Sequence, residues 1–403
     1  MTICRVPRVL LAVALAVVPG VSSPLGAQLT LRVSVPRTTP PDAAVYIAGS
    51  WNGWTPNGAA DRLALDPSGR YSITLPDSVR GPVEFKLTLG SWDRAEADSS
   101  RGATPNRRVT IPPAGAITVD ATVARWSTPG AAGPKASTRT ASVTVMSDSF
   151  AMPQLERTRR VWIYLPPGYA TSHRRYTVLY LQDGQNLFDA GTSFAGEWGV
   201  DETLDSLRAA GDPGIIVVGI DHGDGRRLTE YDPWKNADPR LGGGEGDAYV
   251  DFLVQTLKPY IDGHYRTRRD AASTGIGGSS AGALIALVAT LRHPDVFGRA
   301  MLFSTASWLA GAPLYALARS ASSHRPAPRL YFLSGAFETP SGEPARDQRR
   351  MVDTLLAGGY PRSAIRSLVR ADGKHAEWFW RREFAAACQW LFPAAPARRI
   401  RER

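Results

Sequence analysis

Two hydrophobic rhythms divide the chain. Over residues 29–124 short β-type runs at 29–35, 44–48, 71–75, 83–89, 108–111 and 116–123 are broken by Gly, Pro, Asn and Asp, which predicts a small all-β sandwich. Residues 127–142 are rich in Pro, Gly, Ala, Ser and Thr with almost no large apolar side chains, the composition of a linker. Beyond it, strand-like runs at 160–165, 176–181, 214–220, 272–276, 300–304, 329–334 and 364–369 are interleaved with helical patterns at 202–210, 247–261, 283–291, 347–357 and 375–391. That alternation predicts an α/β, doubly wound, mostly parallel sheet covered on both faces, with its site at the C-terminal strand ends. The expected organisation is a leader at 1–27, a sandwich domain at 28–125, a linker at 126–142, an α/β domain at 143–393 and a basic tail at 394–403.

Composition fits this division. At 403 residues and 43% apolar content the chain is long enough for two packed domains. Arg5 and Arg8, an apolar run over residues 9–18 and the small-residue end Leu25-Gly26-Ala27 before Gln28 follow signal-peptide grammar, so export after cleavage is expected. The run is too short for a comfortable membrane span, which leaves an uncleaved anchor as the weaker alternative. Cys4 lies in that leader, so Cys388 stands alone in an apolar helical stretch and no disulfide framework is expected. The net charge is +10, but the basic residues are scattered except at the tail Arg398-Arg399-Ile400-Arg401-Glu402-Arg403, and nucleic-acid binding is not inferred.

The chemistry centres on Gly278-Ser279-Ser280-Ala281-Gly282. G-x-S-x-G between an apolar strand and a helix is the frame of a nucleophile elbow, and it points to Ser280. A serine hydroxyl needs a histidine base, and the histidine needs a carboxylate to hold its tautomer. Three histidines follow Ser280. His293 ends the helix that follows the elbow, and His324 lies in a polar loop, whereas His375 lies in Asp372-Gly373-Lys374-His375 after the last strand pattern, where a base would overhang the sheet edge. For the acid, Glu338 follows the strand pattern at 329–334 within four residues. Glu343, Asp347, Asp353 and Asp372 are rivals, and a Ser-His dyad without an essential acid is a further alternative. An oxyanion would be met by the amide of Ala281 and, after the strand at 176–181, by that of Gln185 beside Gly184, although an ordinary Asp-Gly turn has the same sequence. No HxH, HExxH or paired-Cys spacing occurs, so neither a metal nor a cofactor is implied.

The runs Val161-Trp162-Ile163-Tyr164-Leu165-Pro166-Pro167-Gly168-Tyr169, Leu181-Gln182-Asp183-Gly184-Gln185-Asn186, Glu230-Tyr231-Asp232-Pro233-Trp234, Leu257-Lys258-Pro259-Tyr260-Ile261-Asp262 and Gly373-Lys374-His375-Ala376-Glu377-Trp378 extend the pattern. With the small residues of 277–282, this set resembles the esterase D and enterochelin esterase-like branch of the α/β-hydrolases, over residues 143–393. The resemblance implies an α/β-hydrolase fold and a triad of Ser280, Glu338 and His375. It departs from the family at Ala283, where relatives usually have a second glycine. The branch includes feruloyl and acetyl-xylan esterases, siderophore esterases, S-formylglutathione hydrolases and mycolyltransferases, so it implies the chemistry better than the substrate.

Upstream, Val45-Tyr46-Ile47-Ala48-Gly49-Ser50-Trp51-Asn52-Gly53-Trp54, Phe85-Lys86-Leu87 and Gly90-Ser91-Trp92-Asp93 resemble the Ig-like glycogen- and starch-binding modules. Trp54, Lys86 and Trp92 match the sugar-contacting positions of that pattern. Indoles that stack on sugar rings and indoles that fill a sandwich core are the two readings, with Trp51 assigned to the core. The sequence thus predicts an exported serine esterase that acts on carbohydrate-linked feruloyl or acetyl esters, with glucan or xylan as a partner of the first module. A siderophore esterase, a sugar acyltransferase and an inactive polysaccharide-binding protein are the alternatives.

Overall fold

The computed structural model describes residues 28–52, 54–97, 104, 106–127, 136–193, 196–236, 241–321, 326–339 and 343–393. The leader, part of the linker, His324 and the basic tail fall outside them.

In the N-terminal part, strand Gln28–Ser34 lies between Tyr71–Thr74 and Ala116–Thr122, with Ala64–Leu65 at the edge. A second sheet holds Tyr46–Gly49, Gly81–Thr88 and Arg107–Ile111, and Glu96–Ala97 pairs with Arg125–Trp126. Every second residue of the first strand turns inward. Leu29, Leu31 and Val33 pack with Ile47, Val83, Phe85, Leu87 and Trp126 into one core. The six strands read from the sequence are all present; the three missed are two-residue pairings too short to show a period.

The rest of the chain builds an eight-stranded sheet. Its strands are β1 (Val143–Met152), β2 (Arg157–Tyr164), β3 (Val178–Gln182), β4 (Ile216–Ile220), β5 (Thr274–Ser279), β6 (Arg299–Phe303), β7 (Arg329–Gly335) and β8 (Ile365–Arg370), in the order β1-β2-β4-β3-β5-β6-β7-β8. The first two strands join antiparallel, and all pairs from β4 to β8 are parallel. Burial on both faces explains the unbroken apolar runs of β3 and β4. Val178, Tyr180, Ala300 and Leu302 face one core, and Leu179, Leu181, Met301 and Phe303 face the other. The flanking helices include α1 (Val200–Ala209), α2 (Ala281–Arg292), α3 (Glu343–Ala357) and α4 (Glu377–Leu391). The first core surrounds α2 and the second includes Phe379, Phe384 and Leu391 of α4.

The helices Arg227–Tyr231, Ser307–Ala310 and Ala312–Ser320 are additions to the sequence reading, and two further elements differ from it for physical reasons. Strand β1 was not expected because it is a partly exposed edge strand whose register against β2 shifts twice, which breaks the two-residue alternation. The helix expected over 247–261 is interrupted by a π-helical turn at Leu253–Leu257, between Gly246–Phe252 and Lys258–His264. Pro259 lies just past that turn; it has no N–H to offer the helical ladder, and a widened turn absorbs the gap. Among the described residues no helix is long and apolar enough to cross a membrane.

Candidate active site

Strand β5 carries Gly275, Gly277 and Gly278 into the sheet and is buried throughout. Ser280, immediately after it, has φ 56° and ψ −122°, a region that a non-glycine residue occupies at a cost of about 1–3 kcal/mol. The strain is held by packing on both sides. Its N–H donates to the Phe303 carbonyl at 2.9 Å, and its own carbonyl accepts from the N–H groups of Leu284 and Ala306, each at 3.1 Å. Helix α2 behind it is buried from Ala281 to Leu291. Burying each of Leu284, Ile285, Leu287 and Leu291 contributes about 1.5–3 kcal/mol, more than enough together to offset one strained residue. The elbow also needs its glycines: a Cβ at Gly278 would lie 2.9 Å from the Gly282 carbonyl carbon, and one at Gly282 would lie 2.9 Å from Cβ of Gln182. Small residues here are a packing requirement of strand against helix.

The parallel strands hang the remaining groups on the same edge. Ser304 follows β6, and its N–H donates to the Leu333 carbonyl at 2.7 Å. Its hydroxyl donates to Glu338 Oε1 at 2.6 Å, the Gly335 N–H donates to the same oxygen at 2.6 Å, and Trp380 Nε1 donates to Ser304 Oγ at 2.9 Å. The other carboxylate oxygen, Glu338 Oε2, lies 2.8 Å from His375 Nδ1. The Glu338 side chain is 0% exposed and that of His375 is 39% exposed, so a buried acid orients a ring open to solvent. Trp380 meets the imidazole edge to face, with centroids 5.2 Å apart. Gly335 and Gly373 touch so closely that a Cβ at either would collide with the other's backbone, which brings the His375 loop down onto the end of β7.

Of the rival acids, Asp372 is held by Arg382, with Nη2 to Oδ1 at 3.0 Å, and Asp353 is exposed on α3. Glu338 is the carboxylate that contacts His375. Ser304 and Trp380, which brace it, had no motif to reveal them.

The loop after β3 is fixed by charge. Asp183, in the left-handed region at φ 59°, is buried and pairs with the Arg227 guanidinium through two bonds of 2.7 and 2.8 Å. Burial alone would raise its pKa, but Arg227 holds the carboxyl below the usual range. The turn Gly184–Asn186 follows, and the N–H groups of Gln185 and Ala281 have no acceptor among the described residues. For Ala281 this follows from its place at the first position of α2, where intrahelical partners are missing.

An open polar cleft of about 490 Å³ adjoins this loop, lined by Gln185, Thr192, Arg159, Arg160, Asp221 and His222 among others. Burial pushes Asp221 up to about 6, against the lowering effect of the Trp162 Nε1–H bond at 2.7 Å and of Arg160 and Arg159. Burial likewise lowers the pKa of His222, and the backbone N–H of that residue donates to Gln185 Oε1 at 3.3 Å. In the N-terminal sandwich Trp54 and Trp92 come together, with ring centroids 6.3 Å apart and planes tilted by 41°. Trp54 sits at φ 60°, Lys86 is half-buried with its pKa lowered by burial, and Trp51 packs on the core.

A strained serine at a glycine-lined strand-to-helix turn, and a histidine held by a buried carboxylate on the same sheet edge, are features of the α/β-hydrolases. The Esterase family model matches residues 152–390, more than half of the chain, and the chain belongs to that family: it is a carboxylic-ester hydrolase. It is 27% identical over 245 residues to the uncharacterized protein YbbA of Bacillus subtilis (strain 168), covering 58% of this chain and 92% of that protein. An endo-1,4-beta-xylanase/feruloyl esterase of Xylanibacter ruminicola is 25% identical over 234 residues, 57% of this chain and 29% of that protein. The N-terminal part is similar to an alpha-amylase of Niallia circulans, 45% identical over 103 residues, which are 26% of this chain but only 8% of the amylase. The enterochelin esterase of Shigella flexneri shares the fold, with a TM-score of 0.50 at 19% identity, covering 87% of each chain.

Proposed function

We propose that this esterase works through an acyl-enzyme on Ser280, with His375 as base and then acid and Glu338 as its orienting carboxylate. The observation that carries the reading is the relay across the sheet edge. Ser280 is bonded to Phe303, the next residue Ser304 is bonded to Glu338, and Glu338 is bonded to His375. His375 Nδ1–H donating to Glu338 leaves Nε2 free to take the Ser280 proton as Oγ attacks the ester carbon. The amides of Ala281 and Gln185, with no other acceptor among the described residues, would meet the negative oxygen of the tetrahedral intermediate. Collapse expels the alcohol, which takes the proton from His375. Water then gives a proton to His375, attacks the acyl carbon and releases the acid and the free serine.

The substrate we propose is a feruloyl or acetyl ester carried on a polysaccharide. Three of the exposed large apolar side chains, Trp308 at 53%, Phe337 at 71% and Trp378 at 46%, follow β6, β7 and β8 on the site's own edge, a rim suited to an aromatic acyl group or a sugar face. The similarity to the xylanase/feruloyl esterase supports this choice. The paired Trp54 and Trp92, with Lys86, and the likeness to an amylase segment support glucan or xylan binding by a separate N-terminal module. Export follows from the leader pattern, and the domain limits at 125 and 143 from the change of rhythm.

The nucleophile is tested by fluorophosphonate labelling and p-nitrophenyl ester hydrolysis of wild type and Ser280→Ala. Wild type should label and turn over, and the variant should do neither. A labelled, active variant overturns the assignment. The substrate is tested by comparing feruloyl, acetyl and triscatecholate esters; a preference for the triscatecholate would replace the polysaccharide reading with a siderophore one.

A further inference from the structure

Three carboxylates meet at the start of α1, beside Trp198, whose ring stacks on Phe303 at 5.5 Å and lies 5.7 Å from that of Trp380. Glu197 precedes the helix, Asp201 and Glu202 lie in its first turn, and Gly199 between them turns the chain at φ 58°. One carboxylate oxygen from each lies within 4.8 Å of the other two. The Asp201 residue is 0% exposed. On the outer side these groups are tied to protein: Thr138 Oγ1 donates to Glu197 Oε2 at 2.8 Å, and the Thr140 N–H donates to Asp201 Oδ2 at 2.7 Å. Glu202 Oε1 has the Arg381 guanidinium 3.9 Å away. The remaining oxygens, Glu197 Oε1, Asp201 Oδ1 and Glu202 Oε2, are all cut off from solvent and accept no hydrogen bond among the described residues.

An unpaired buried carboxylate oxygen costs several times what a satisfied one does, and three together are not a stable arrangement by themselves. The helix N-terminus favours negative charge in this turn, but only by about 0.3–1 kcal/mol per group. A proton shared between Asp201 and Glu202 would satisfy two oxygens at most and leave Glu197 Oε1 bare. A cation satisfies all three. Oxygens this close can be bridged by one Ca²⁺ with Ca–O distances of about 2.3–2.6 Å, and an all-carboxylate set completed by water suits a hard cation better than a thiophilic one.

We propose that Glu197, Asp201 and Glu202 form a structural Ca²⁺ site that locks the chain entering the hydrolase sheet onto α1. The same carboxylates hold Thr138 and Thr140 through their outer oxygens, and Ser142 is bonded to Asp205 one turn further along α1. The described end of the segment read as a linker is therefore tied to the helix through the groups the ion would fix. None of the three carboxylates belongs to the catalytic relay, although Trp198 among them packs on Phe303 and Trp380, and the proposal does not rest on the esterase reading.

Trp198 lies within the cluster's own sequence and provides the probe. After dialysis of the full chain against EDTA, Tb³⁺ is titrated with excitation of tryptophan, then competed with Ca²⁺. Wild type should give a saturable signal that Ca²⁺ displaces, and Glu197→Gln and Glu202→Gln should each weaken binding by about tenfold or more. Ca²⁺ at about 100 times its Kd should raise the wild-type Tm by roughly 5–10 °C, with kcat unchanged. Absence of a saturable signal, or a signal equal in wild type and both variants, overturns the site. So does a wild-type Tm indifferent to Ca²⁺ together with a higher Tm for Asp201→Asn, the result that a shared proton predicts.

Discussion

Replacing Glu338 by Gln isolates the charge of the orienting acid. The amide oxygen can still accept from Ser304 Oγ and the Gly335 N–H, the two 2.6 Å bonds that position the wild-type side chain, so the fold should be kept. What changes is the 2.8 Å contact with His375 Nδ1. A glutamine NH₂ there donates rather than accepts, which puts the imidazole proton on Nε2 and removes the lone pair that Ser280 needs. The second loss is electrostatic. An imidazolium and a carboxylate with charge centres about 4 Å apart attract by about 4 kcal/mol at an effective dielectric of about 20. At 1.36 kcal/mol per decade that is about a 10³-fold loss in kcat, and the wrong tautomer takes it toward about 10⁴. The assay is steady-state hydrolysis of a short p-nitrophenyl ester, with thermal unfolding alongside. KM should move by no more than about threefold, because the acid touches no substrate. Asp372→Asn is the control: its carboxylate is exposed and bonded to Arg382, and kcat should stay within about twofold. A Glu338→Gln enzyme of unchanged Tm whose kcat is within about tenfold of wild type would refute the argument and leave the histidine acting without its acid.

Gly282→Ala places a Cβ 2.9 Å from Cβ of Gln182 and 3.0 Å from Asp183 Oδ2, so it should cost about 1–3 kcal/mol of stability and displace the loop that carries the Gln185 amide. A kcat loss of about tenfold or more at little-changed KM is expected, and full activity would separate this packing from the oxyanion site. Asp221 holds its proton up to about pH 6 when folded, against about 3.9 when unfolded. Between these values the folded state binds more protons, so stability falls as pH rises from about 4 to about 6, by at most about 3 kcal/mol, and is level above. Urea unfolding of wild type and Asp221→Asn should differ by that slope; parallel curves over the window would refute it. In affinity gels containing a glucan or xylan, residues 28–125 should be retarded, and Trp54→Ala and Trp92→Ala should each lose that retardation. Retardation equal to wild type in both would assign the indole pair to packing.

The parallel sheet and its order of functional groups were legible because each rests on a local constraint. β3 and β4 are buried on both faces and so read as continuous apolar runs. Gly278 faces the Gly282 backbone and Gly282 faces the Gln182 and Asp183 side chains too closely for a Cβ, so the elbow announces itself in sequence. The contact between Glu338 and His375 joins two residues chosen by their distance past a strand end, a measure that survives as long as the strands are parallel. What was not legible depends on contacts without periodicity. Strand β1 loses its alternation to two register shifts. Ser304 and Trp380 lie 34 and 42 residues from the acid they brace, and a serine after a strand or a tryptophan in a helix has no distinguishing pattern. Glu197, Asp201 and Glu202 read as ordinary solvated acids until their burial is known.

The same distinction separates reaction from substrate. In the proposed mechanism bond breaking depends on backbone positions held by the sheet: the Ser280 turn, two N–H groups, and an acid and a base at neighbouring strand ends. A change in any of them is felt through the fold, so these positions are tightly specified. Substrate choice instead rests on side chains that the core does not constrain. Trp308 and Trp378 lie in the first turns of the helices that follow β6 and β8, Phe337 lies in the turn after β7, and the polar cleft beside Gln185 is walled by Arg160, Asp221 and His222. An acetyl group needs no aromatic rim, whereas a ferulate ring gains from one and a sugar alcohol gains from a wall of charged and hydroxyl groups. An exposed rim and a polar wall on one strand edge are more than acetyl transfer to water requires, which favours an ester whose acyl and alcohol halves both carry recognition.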